Sequence, residues 1–172
     1  MATNGKAEQL RLGFLTAIEV PDKGLTGGLL VTNHYGRPLE FQCTTPVRAN
    51  ATQEILYGAS LKPFLLGELI GGTLVDKSSV KPQLILTDQP EILELRNHID
   101  VPVVLVDPIG ETGGERTMKL GRQTIRFHEA HASDQVRIDE GAQQIPADAD
   151  LREPFSRVRE ALQETLKTGA LR

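Results

Sequence analysis

The run PVVLVD at 102–107 constrains the fold more than any other stretch of the chain. Four apolar residues in succession leave no polar face, so a strand built from them must be covered on both sides. Ahead of it stand QLILTD at 83–88, a second short strand, and PEILELRNHI, a helix with proline at its favoured first position. Strand, helix and strand over so short a distance make a right-handed parallel crossover. Both strands therefore belong in the centre of a sheet.

The preceding half of the chain follows a different pattern. LRLGFLTAIEV, LTGGLLVTN and PLEFQCTTPV are extended runs separated by PDKG and HYGR. Those turn residues supply the backbone angles of tight reversals, so the three runs form an antiparallel meander. The glycines of PDKGLTGG read as turn chemistry. At Asn50 the period changes: Asn50 and Gln53 have the spacing of a capping box, and a helix follows, interrupted near Gly58 and Pro63. Leu61, Phe64, Leu65 and Leu69 then fall on one helical face. Gly67, Gly71 and Gly72 lower helix propensity by about 1 kcal/mol each relative to alanine, which points to close packing or to early termination.

Beyond Asp107, the stretch DPIGETGGER is a loop. RQTIRFHEA and DQVRID alternate as a second hairpin would. Asp150, Glu153 and Pro154 open a final helix whose Leu151, Phe155, Val158, Leu162 and Leu166 form an apolar stripe. The expected organisation is a flexible N-terminus at 1–9, an α/β core at 10–107, a loop at 108–117, and a C-terminal hairpin and amphipathic helix at 118–172 packed on the same core.

A length of 172 residues suits one core. The net charge of −4, with Lys and Arg dispersed, gives no basic stripe for a phosphate backbone, although a local patch on an acidic protein stays open. Aromatic residues at 4% with no Trp argue against a stacking platform for bases. One cysteine excludes an intrachain disulfide. No apolar run is long enough to cross a bilayer, and MATNGKAEQLR lacks the apolar stretch of a secretory signal, so a cytoplasmic protein is expected.

The order β-β-β-α-β-α-β over residues 10–107 resembles the ribonuclease H-like superfamily, and the related actin-like ATPase domains share it. The resemblance implies a mixed sheet with a three-strand meander followed by αβαβ. In its nucleases, carboxylates from the first strand, the first helix, the end of the fourth strand and a later segment hold two divalent metals. The corresponding positions are Glu19, Glu54 or Glu68, Asp88 and Asp107, with Mg or Mn as the implied cofactor. This sequence departs from the pattern at the first strand, where a Glu beside Pro21 stands in place of an embedded Asp. Asp88 and Glu91 also have the spacing of a capping box.

Other constellations are slighter. His128 and His131 in FHEAHASD could supply two metal ligands, but on a strand they would face opposite sides unless the chain bends between them. Cys43 ends a strand, and His34 in the preceding turn is its candidate activator, against the plainer reading of a small buried hydrophobe. GETGGER lacks the lysine of a P-loop. The residues leave open whether the protein is an enzyme. The expected function is a non-catalytic interaction or accessory module on a ribonuclease H-like scaffold, without a cofactor and with a protein partner or self-association. The alternatives are a divalent-metal nuclease using Glu19, Glu54, Asp88 and Asp107, and an actin-like nucleotide-binding regulator.

Overall fold

Residues 9–107 and 116–169 are described by a computed structural model of the chain. The meander forms as expected: β1 (Arg11–Val20), β2 (Gly24–Asn33) and β3 (Pro38–Cys43) are antiparallel neighbours. On its other side β1 pairs in parallel with β4 (Leu84–Thr87), and β4 pairs in parallel with β5 (Val103–Val106). The hairpin of β6 (Thr117–Leu120) and β7 (Gln123–Phe127) joins β5 antiparallel, which completes a seven-stranded sheet of order β3-β2-β1-β4-β5-β7-β6. The first five strands, with β2 alone reversed, have the ribonuclease H-like arrangement.

Strand alternation divides the interior into two layers. Leu12 and Phe14 of β1, Leu84 and Leu86 of β4, and Val104 and Val106 of β5 face one side. There they meet α3 (Asp134–Ala142) and α4 (Glu153–Lys167) through Ile138, Phe155, Val158 and Leu162. Leu15, Ala17, Ile85, Val103 and Leu105 face the other side, against Leu66, Ile70, Leu74, Ile92 and Leu95. All four residues of VVLV are buried, as a central strand requires.

The Gly27–Gly28 pair is not turn chemistry. Both glycines lie inside β2, pointing to opposite layers. A Cβ on Gly27 would come within 2.2 Å of Ile70, and one on Gly28 within 2.9 Å of Val158. The pair lets helices approach the sheet closely from both sides.

Three helical expectations change. After α1 (Ala51–Tyr57) the chain runs through a short 3-10 turn into a π-helix at Pro63–Gly71, continued by α2 (Gly72–Lys77). The wider π turn shifts the apolar period, so the buried set is Leu65, Leu66, Ile70 and Leu74, while Leu69 is exposed. Gly67 is closely packed there: a Cβ would lie 2.8 Å from that of Glu94. The crossover Pro90–Asn97 is a 3-10 helix with Gln89 as N-cap and no side-chain cap, so Asp88 and Glu91 form no capping box. DQVRID belongs to α3 and not to a strand; β7 pairs instead with β6. Buried Asp134 at the start of α3 receives two hydrogen bonds from Arg96, at 2.7 and 3.1 Å, which ties this helix to the crossover. The 1–9 segment and the GETGG loop fall almost wholly outside the described residues.

Candidate functional site

The parallel strands β1, β4 and β5 end at one side of the sheet, and α4 packs over β1 and β2 in the adjoining layer. In open α/β sheets this carboxyl-end crevice is where ligands bind. Here it forms a cleft of about 890 Å³.

Alternation places the residues at its floor. Continuing Leu12 and Phe14 by two, Thr16 points to the α4 layer and is fully buried. Continuing Leu84 and Leu86 by two, Asp88 points to the same layer. The Thr16 hydroxyl donates to Asp88 Oδ1 at 2.8 Å. From α4, Arg159 donates to the Thr16 hydroxyl at 3.2 Å and forms an ion pair with Asp88 Oδ2. Asp88 is thus matched on both oxygens by groups of the protein itself.

The other acids of the cleft are also partnered. Asp107 has a positive φ of 50° and accepts from the Thr124 amide at 3.2 Å, with Arg152 3.5 Å away. Asp150 accepts from Gln123 at 3.1 Å and from the Arg152 amide at 3.0 Å. Glu153 pairs with Arg157 at 3.0 Å. Arg122 and Arg126 of the hairpin line the far wall.

Of the four acids expected to converge, Asp88 and Asp107 share this cleft. Glu19 is exposed three residues beyond Thr16, and Glu54 is exposed on α1, a helix with no buried residue. Neither lines the cleft. Glu68, the other helical candidate, lies 3.9 Å from His98. Among the described residues no three His, Cys, Asp or Glu side chains are grouped so as to hold a metal. The donor set does not fit a divalent cation, because the acid at its centre already faces a guanidinium. Thr16 and Arg159 were missed by sequence reasoning. Thr16 could have been found by extending the strand alternation, but Arg159 left no local signal.

The chain does bend between His128 and His131. The His131 amide donates to the His128 carbonyl at 3.0 Å, and the rings stand 5.2 Å apart. Nε2 of each lies near the Asn97 amide, at 3.3 and 3.0 Å. Burial, then the neighbouring His131, pushes the His128 pKa down.

Cys43 and His34 are not neighbours. Cys43 pairs with Gly28, six residues and roughly 20 Å along the strand from the turn. Burial raises its pKa, so a thiolate is disfavoured.

No family model matches the sequence, and no curated protein matches it. The chain is similar to several solved structures. An endonuclease V variant from Ciona intestinalis, in complex with DNA containing an inosine followed by a ribo-adenosine, is 12% identical, with a TM-score of 0.49 over 92% of this chain and 88% of that one. The catalytic domain of human endonuclease V is 14% identical, with a TM-score of 0.45 over 94% of this chain and 85% of that one. Marinitoga piezophila Argonaute, in complex with a 5′ OH guide RNA, is 15% identical, with a TM-score of 0.37 over 73% of this chain and 24% of that one.

Proposed function

We propose that the chain is a non-catalytic module on a nuclease-type scaffold, and that its cleft holds a nucleic-acid strand by the phosphates without cutting it. The observation that carries this reading is the Arg159–Asp88 pair over Thr16. A two-metal centre needs carboxylates that face a cation from separate elements. Here the protein supplies its own cation at that point. With Asp88, Asp107 and Glu153 each beside an arginine, Arg122 lines the cleft as the guanidinium that a phosphate would meet. Guanidinium groups suit phosphate because they present paired donors in one plane. In this reading a nucleic acid takes the place of the protein partner expected from the sequence.

A second reading, a nuclease dependent on Mg or Mn, is favoured by one fact: Asp88, Asp107, Asp150 and Glu153 line the same cleft.

One experiment separates the two. Labelled single- and double-stranded DNA and RNA are incubated with the protein and Mn²⁺ or Mg²⁺, and both binding and cleavage are followed. The expected result is binding that weakens steeply with salt, as phosphate contacts require, is reduced by Arg122→Ala, and leaves every strand intact. Cleavage abolished by Asp88→Asn would overturn the proposal and establish the nuclease.

A further inference from the structure

The turn between β2 and β3 closes a second cavity, of about 320 Å³, on the other side of the segment leading into α4. Its floor is apolar and almost fully buried, built from Leu12, Phe14 and Leu151. Its wall is the ring pair of His34 and Tyr35, with centroids 4.0 Å apart and planes tilted by 43°. The turn carrying these rings is fixed in place. The Asn33 side chain accepts from the amides of Tyr35 and Arg37, both at 3.0 Å, and Arg157 donates to the Gly36 carbonyl at 3.1 Å.

Within this rigid frame one buried polar atom has no partner in the protein, and two exposed polar groups line the rim. His34 Nδ1 is buried with no hydrogen-bond partner. The Tyr35 ring is 77% exposed, and the Asp148 carboxylate stands at the rim in solvent. An exposed ring on a stiff turn beside an apolar floor is a stacking surface, and base–aromatic stacking needs only a π-face. The volume is at the lower end of the range for small-molecule sites, the size of a nucleoside rather than of a dinucleotide.

Asp148 is a carboxylate in the lining of this cavity. A carboxylate has two acceptor oxygens and no donor, so its best partner offers two adjacent N–H groups in one plane. Guanine presents N1–H beside its exocyclic amino group. Adenine and cytosine place an acceptor next to their amino group, which a carboxylate repels. We infer that the cavity between the β2–β3 turn and the entry to α4 is a guanine-base site, stacked on Tyr35 and read by Asp148.

The segment leading into α4 separates this site from the arginine cleft, its Asp150 and Glu153 lining both, so the probe is guanosine, which carries no phosphate. Binding is followed by amide chemical shifts of the ¹⁵N-labelled full chain, with adenosine and cytidine as controls. Guanosine is expected to shift residues 34–36 and 148–151 and to bind at least tenfold more tightly than adenosine. Asp148→Asn should remove that preference, and Tyr35→Ala should weaken all three nucleosides by tenfold or more. Both side chains are exposed, so the variants should fold, and an unchanged spectrum elsewhere checks this. Absence of shifts at these residues, or a guanosine affinity indifferent to Asp148→Asn, overturns the inference whatever the oligonucleotide experiment gives.

Discussion

Glu40 on β3 holds two parts of the chain together with a single carboxylate. It accepts from the Val80 amide at 2.7 Å, the Gln42 side chain at 2.8 Å and the Ser79 amide at 3.1 Å. These bonds, Val80 first, lower its pKa below the usual 4.5. A carboxyl group with a depressed folded-state pKa contributes stability that is complete above its unfolded value and is lost as pH falls through the folded one. Thermal unfolding of the wild type and Glu40→Gln should therefore differ above pH 4.5 and converge in acid; parallel curves at every pH would refute the linkage. Residue-scale roles of this kind were hard to read in advance. Asp88 was legible as an acid at a strand end, but its neighbours were not. Thr16 lies 72 positions away and Arg159 lies 71, and nothing local to Asp88 marks either. The competing expectation of a capping box used the correct spacing and failed because Asp88 turned to the α4 layer. His34 was rightly placed in a turn, and its distance from Cys43 follows from the same hairpin once the register is known.

Elements were more legible where one rule governed them. α1 starts with the expected capping box: Asn50 Oδ1 accepts from the Gln53 amide at 2.8 Å, and the Gln53 side chain returns the bond at 3.0 Å. With no buried residue, and with Ile55 and Leu56 in solvent, α1 depends on that cap more than a packed helix would. Asn50→Ala should cost about 1 kcal/mol locally. Amide exchange at 51–57 should rise while β1 and β4 stay protected, and equal acceleration everywhere would show that α1 is part of the global unit. The first five strands were recovered because alternation and apolar runs report burial directly, whereas β6 was not expected. Helices α1 and α4 were recovered too, but the type of Pro63–Gly71 and Pro90–Asn97 was not, because 3-10, π and α geometry differ in hydrogen-bond step, whereas the sequence shows only an apolar period. Leu69 illustrates this: its α-helical spacing from Leu61 and Leu65 places it inside, and one wide turn brings Ile70 in instead. DQVRID was misread because six residues can alternate by chance while still carrying Val136 outward and Ile138 inward on a helix.

For the whole molecule, the two-layer arrangement makes β5 the most sensitive strand. Val104 is fully buried in the layer that α3 and α4 cover. Val104→Asp would place a carboxylate there without a partner and should destabilise by several kcal/mol. A soluble variant with unchanged denaturant midpoint would contradict a two-sided central sheet. The position of β1 has a different consequence, in time rather than in energy. The first described strand is interior to the sheet. It has β2 on one side almost at once, but its other edge waits for β4, 72 residues on, and its α4 face waits for a helix beginning at Glu153. Contacts so distant along the chain slow folding, toward the millisecond-to-second range of sheet-rich domains. While a ribosome makes this protein, the β1–β2–β3 meander must therefore stand alone, with an open strand edge and an uncovered apolar face. The nascent meander is the stage at which the chain is most exposed to misassembly and most in need of a holding chaperone.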